Sequence, residues 1–136
     1  MNRAIEIHDS VVERVLLVGR DAILDFSSVY IHQSSGKPLV DSGSEWVQRA
    51  RISVNDAVIT GSLSRIDYDL WRGHIKLDGI ILDNEIPIPL NHLGDVELRL
   101  ESECGVVVIT GTGAVLELIG EAKYAGEFES GRGNLG

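Results

Sequence analysis

Asp67 and Asp69 stand two residues apart in Ile66–Leu70, where apolar residues alternate with acids. Positions i and i+2 of a strand share a face, so the two carboxylates point the same way. Paired carboxylates bind Ca²⁺ or act as acid and base in glycoside hydrolysis. Asp78, Asp83 and Glu85 add acids nearby. Tyr68, Trp71 and Arg72 add the aromatic and cationic surface that holds a sugar ring or a protein partner. The sequence therefore nominates Asp67, Tyr68, Asp69, Trp71 and Arg72 for ligand binding, with Asp83 joining the two aspartates if the site is hydrolytic. The same pattern also describes the solvated face of a one-sided antiparallel sheet. EF-hand spacing is absent. No residue is assigned as catalytic, and no metal or cofactor is expected.

Other motifs point more weakly to chemistry. Gly111-Thr112-Gly113 follows an apolar run, as a phosphate loop would. A dinucleotide site, however, needs a helix and a second parallel strand, and Leu116 occupies the place of the third glycine. The glycines are expected to form a hairpin turn between Val106–Thr110 and Ala114–Ile119. His8-Asp9-Ser10 has the residue types of a hydrolase triad, but contiguous strand residues point to alternate faces and cannot form the relay. A bond from the Ser10 or Asp9 side chain to the local backbone is the expectation. Asp41-Ser42-Gly43 reads as a polar turn. His8, His32, His74 and His92 are scattered, with no metal-ligand spacing. Arg49, Arg51, Arg65 and Arg72 suit either an anion pocket or cross-strand ion pairs. Cys104 has an acidic neighbour that raises a thiol pKa, which suits a structural residue.

These residues must be positioned by a chain of 136 residues, a length that fits one domain. With 43% hydrophobic and 24% charged residues it is globular, and with 5% aromatics its core must be Val, Ile and Leu. Twelve basic against 21 acidic residues give a net charge of −9, which argues against nucleic acid. A lone cysteine suits a reducing compartment. Neither a signal-peptide core nor a run of about 20 apolar residues is seen, so a cytoplasmic protein that does not enter a membrane is expected.

Strand-like runs recur about every ten residues between turn signals, the mark of an antiparallel sandwich or barrel. The expectation is an all-β domain over residues 1–128, a β-sandwich or flattened β-barrel of about nine to eleven strands, with a flexible Gly-rich tail over 129–136. Ser10–Leu17 carries a capping-box pattern, S-x-x-E, but its β-branched content favours strand. Leu24, Phe26, Ser28 and Tyr30 are expected on one face. Gln33–Glu45 reads as a long loop. Asn55-Asp56 and Asn91–Asp95 read as turns. Pro87 and Pro89 confine their segment to an edge or a connection. Val58-Ile59-Thr60-Gly61-Ser62 echoes Val108-Ile109-Thr110-Gly111-Thr112.

The opening Ile7-His8-Asp9-Ser10-x-Val12-x-x-Val15, with its Gly hairpin and Leu24-x-Phe26, resembles small uncharacterised bacterial proteins of mostly β structure. A few of these look like immunity proteins of toxin systems. The resemblance implies no catalytic residues. The sequence thus favours a non-catalytic binding or assembly module. It would bind a protein or small molecule, or form a homodimer through an edge strand. The alternatives are a small hydrolase or sugar-binding protein using Asp67, Asp69 and Asp83 near Trp71, or an immunity-type protein.

Overall fold

Period-two alternation and β-branched content carry through most of the chain, and strands result. The computed structural model describes residues 1–63 and 69–129. Arg65, Asp67, Tyr68 and the tail from residue 130 lie outside the described residues. Nine strands follow in order: β1 Asn2–Val18, β2 Asp21–Ser34, β3 Gly43–Val54, β4 Val58–Leu63, β5 Leu70–Leu77, β6 Ile80–Asp83, β7 Glu85–Ile88, β8 Asn91–Ser102 and β9 Gly105–Phe128. All pairings are antiparallel, and no helix occurs among the described residues. Ser10–Leu17 is strand.

The strands form one sheet in the order β6-β5-β8-β9-β3-β2-β1-β7, with β4 also on β9. The ladder does not close. Its two ends, β6 and β7, are nevertheless consecutive in the chain, joined by Asn84 alone. The Asn84 N–H donates to Gly73 O on β5 (2.8 Å), while its carbonyl accepts from Ile7 N–H on β1 (3.1 Å). The sheet is thereby rolled around one core of Ile5, Leu24, Phe26, Ile52, Ile75, Leu98 and Ile109, all at most 1% exposed. β7 bears Pro87 and, among the described residues, pairs only with β1.

β9 departs from the sequence expectation. The hairpin turn expected at Gly111–Gly113 is absent, and β9 runs 24 residues from Gly105 to Phe128. β8 lies along one side of its first half. On the other side lie β4 and then β3, with Val58 opposite Thr110 and Val54 opposite Ala114. Four residues separate the two pairs on each strand, so the chain does not reverse at Asn55-Asp56 either. β3 and β4 form one interrupted strand along β9. At the interruption Asn55 N–H donates to Gly113 O and Thr112 N–H donates to Asn55 O, both 2.9 Å. Neither Gly111 nor Gly113 has a positive φ. Gly111 has the Asn55 backbone against it, and Gly113 has the Asn55 side chain and the His92 carbonyl. A Cβ on Gly111 would collide with Asn55 O, and one on Gly113 would lie 2.8 Å from Asn55 Oδ1.

Other expected turns are also bulges. Asn91–Asp95 belongs to β8, with a register shift between Leu93 and Val96. A shift between Phe26 and Val29 changes the phase of β2, so Val29 and Ile31, not Ser28 and Tyr30, join Leu24 and Phe26 inside. At His8-Asp9-Ser10 four residues of β1, Ile7 to Ser10, stand opposite Val29 alone. Asp9 there is left-handed, with φ 69°. Ser10 Oγ donates to Glu6 O (2.6 Å) and accepts from Tyr30 N–H (3.2 Å), filling the gap in the ladder. The echoed tripeptides pair with one another, Ile59 opposite Ile109. The loop between β2 and β3 shrinks to 35–42.

If Gly111 is a contact point, Gly111→Ala should destabilise the fold by about 1–3 kcal/mol in urea denaturation, the cost of overpacking. Gly113→Ala should cost less, because its nearest obstacle is the end of a side chain. Equal stability of Gly111→Ala and wild type contradicts the close approach.

Candidate functional site

Asp69, Trp71 and Arg72, the nominated residues that the structure describes, lie at the surface around the start of β5. Asp67 and Tyr68 lie outside the described residues. Asp69 is exposed, and its backbone bridges to Val11. Trp71 sits at a register shift of β5, half exposed, and its carbonyl accepts from His8 Nδ1 (2.8 Å). Arg72 reaches across to Glu101 (3.1 Å). Asp83 is exposed on β6, opposite His74. Asp69, Trp71, Arg72 and Asp83 line none of five depressions formed by described residues.

Of the arginines offered as an anion pocket, the three described ones, Arg49, Arg51 and Arg72, are each in an ion pair. Arg49 meets Glu13 (3.2 Å), and Arg51 meets Asp25 (2.7 Å). Asp25 also holds Arg14 (2.8 Å) and is buried on the outer face of β2. The hydrogen bond from Arg51, helped by Arg14 and opposed by burial, keeps the Asp25 carboxyl below its ordinary range. Arg51 is raised in turn by Asp25. Each histidine has a carboxylate of its own: His8 with Asp9, His32 with Glu6, His74 with Glu97 and His92 with Asp78. The bond from His74 is the main cause of the lowered Glu97 pKa. Among the described residues no three His, Cys, Asp or Glu side chains gather where they would hold a metal.

Two ends of the rolled sheet carry what sequence reading missed. At one end the β1–β2 hairpin carries Leu16, Leu17 and Val18 and brings Leu17 beside Val58 of β4, each of the four between 42% and 63% exposed. Val15 and Leu17 stand opposite Leu24 and Ala22, so they belong to the inner face of the sheet. Leu17, Ala57 and Val58 line one depression with Arg20 and Asp56, whose ion pair at 3.4 Å rims it. Val15, Ile59, Leu63 and Val107 line a second. β4 pairs only with β9 among the described residues. Its sequence, VITGSL, contains no charge and no proline.

At the other end Trp46 of β3 stacks edge-on against Tyr124 of β9, with ring centres 5.4 Å apart. Trp46 Nε1 donates to Ser44 Oγ (2.9 Å), which fixes the indole. Glu127 raises the Tyr124 pKa, chiefly by a hydrogen bond. Trp46 borders a depression of about 310 Å³ together with Arg3, Ile31, Gln33 and Ala122.

The Asp25 cluster gives a pH test. Its folded pKa is depressed, so its stabilisation is present above the unfolded pKa and is lost as pH falls through the folded one. Asp25→Asn should cost about 1–3 kcal/mol near neutral pH, the range for bonds to charged groups. The difference from wild type, measured by urea denaturation, should be level above about pH 5 and shrink below about pH 4. A difference unchanged down to about pH 2 contradicts the ion-pair assignment. Comparison with known proteins adds nothing to this geometry: no family model, curated protein or solved structure matches the chain.

Proposed function

We propose that the chain is a non-catalytic binding or assembly module that contacts protein through its apolar hairpin end. The observation that carries the reading is that Leu17 and Val58, both exposed, line one depression, with Leu16 and Val18 exposed on the same hairpin, beside a β4 edge that no described residue other than β9 pairs. Large exposed aliphatic side chains grouped within a polar rim mark interaction surfaces. Proteins usually blunt free edges with charge, proline or bulges. β7 has Pro87, and the edge of β9 past Leu116 has Glu117, Glu121, Lys123 and register shifts. β4 has no such charge or proline.

The first partner is a second copy of the chain. β4 already accepts Val108-Ile109-Thr110 of β9 as an antiparallel neighbour. Val58-Ile59-Thr60 of a second molecule offers its free edge the same tripeptide, in an isologous pairing. The lone cysteine fits this module to a reducing compartment such as the cytoplasm.

Light scattering across a concentration series tests the proposal. The wild-type chain should approach twice the monomer mass at about 100 μM, the range of a weak interface. Leu17→Lys and Val58→Lys should each stay monomeric with an unchanged circular-dichroism spectrum. A wild-type chain that remains monomeric throughout contradicts self-assembly. Lysine variants that dimerise like wild type contradict this surface.

A further inference from the structure

The depression at the opposite end has the chemistry of a small-molecule site. Five of the seven described arginines, Arg14, Arg20, Arg49, Arg51 and Arg72, hold a carboxylate within 4 Å. Arg3 and Arg99 hold none among the described residues, and Arg3 lines a depression. Acids outnumber bases 21 to 12, so a guanidinium left without a carboxylate is unexpected on composition alone. Gln33 stands opposite Arg3 across the β1–β2 ladder. Its side-chain amide makes no hydrogen bond to another described residue. A guanidinium and an amide, both uncommitted, thus stand side by side on the inner face of the sheet.

The remainder of the lining is apolar. Ile31, 1% exposed, stands opposite Trp46 across the β2–β3 ladder. The indole is held by Ser44 and by Tyr124. Ala122 lies where β9 has residues in excess of β3, between Ile119 and Lys123, and its methyl leaves the opening clear. At about 310 Å³ the depression falls at the small end of ligand-site volumes. An apolar wall with a few convergent polar groups is the usual make-up of such sites. Guanidinium groups bind carboxylate and phosphate oxygens bidentately.

We propose that this depression binds a small amphipathic anion, a carboxylate or phosphate on a planar apolar body. Arg3 and Gln33 hold the oxygens, and Trp46 and Ile31 contact the body. The net charge of the chain opposes anions at long range, but about 0.15 M salt screens beyond roughly 8 Å and leaves the local contact with Arg3 dominant. The proposal is independent of the hairpin end.

The test is titration of the ¹⁵N-labelled full chain at that salt with 3-phenylpropanoate, phenyl phosphate and neutral 3-phenylpropan-1-ol. Trp71→Phe assigns the Trp46 indole signal. At least one of the anions should shift the Trp46 indole N–H and the Gln33 side-chain amide saturably, at least about tenfold tighter than the alcohol. Arg3→Gln should abolish that preference and leave the remaining spectrum in place, because Arg3 is exposed. Ala122→Leu should weaken both anions and alcohol by filling the opening. The proposal is overturned if neither anion shifts these signals by about 10 mM, the limit of weak binding. Equal binding of alcohol and anions, or retention of the anion preference in Arg3→Gln, overturns it too.

Discussion

The close contact between the Asn55 backbone and Gly111–Gly113 governs the architecture. At this point the strand made of β3 and β4 is interrupted, yet two hydrogen bonds at 2.9 Å keep it against β9. A side chain on Gly111 would push the two backbones apart. Because the contact holds, β9 stays continuous and serves two parts of the sheet, β8 with β4 in its first half and β3 in its second. A sheet built on so long a strand must twist and coil. The chain brings its two ends together at Asn84, and one core results.

Charge is settled on the outer face of this roll. Asp25 is buried between Arg14 and Arg51, Glu97 and Glu101 find His74 and Arg72 on the neighbouring β5, and Glu13 of β1 reaches past β2 to Arg49 of β3. Such cross-strand pairs are the ordinary means by which a sheet accommodates charge. They also use up side chains that would otherwise suggest chemistry. The described groups that the two binding proposals use, the aliphatic hairpin tip and Arg3 with Gln33, lie at the two ends.

Much of the fold was legible because alternation is a local signal. Val96, Leu98 and Leu100 face inward as their spacing requires, and β7 is the edge that its prolines imply. Turns were less legible. Glycine, Asn and Asp tolerate the left-handed and crowded backbones of hairpins and of bulges alike. Asn55-Asp56, Asn91–Asp95 and Gly111–Gly113 look like reversals in sequence but are interruptions of continuing strands. A missed bulge then misassigns faces, as with Tyr30. The ends of the roll were hidden for a different reason. Arg3, Gln33, Trp46 and Ala122 are far apart in sequence, and only the register of β1, β2, β3 and β9 brings them together.

The continuity of β9 through its glycines is most directly tested by amide hydrogen exchange at Thr112 and Asn55. Their N–H groups are bonded to Asn55 O and Gly113 O, so both should exchange as slowly as Ile109 and Leu116 on either side. Exchange of Thr112 at the rate of an open turn, with nuclear Overhauser contacts between residues 110 and 114, would mean that the chain reverses there and that the sheet is assembled differently.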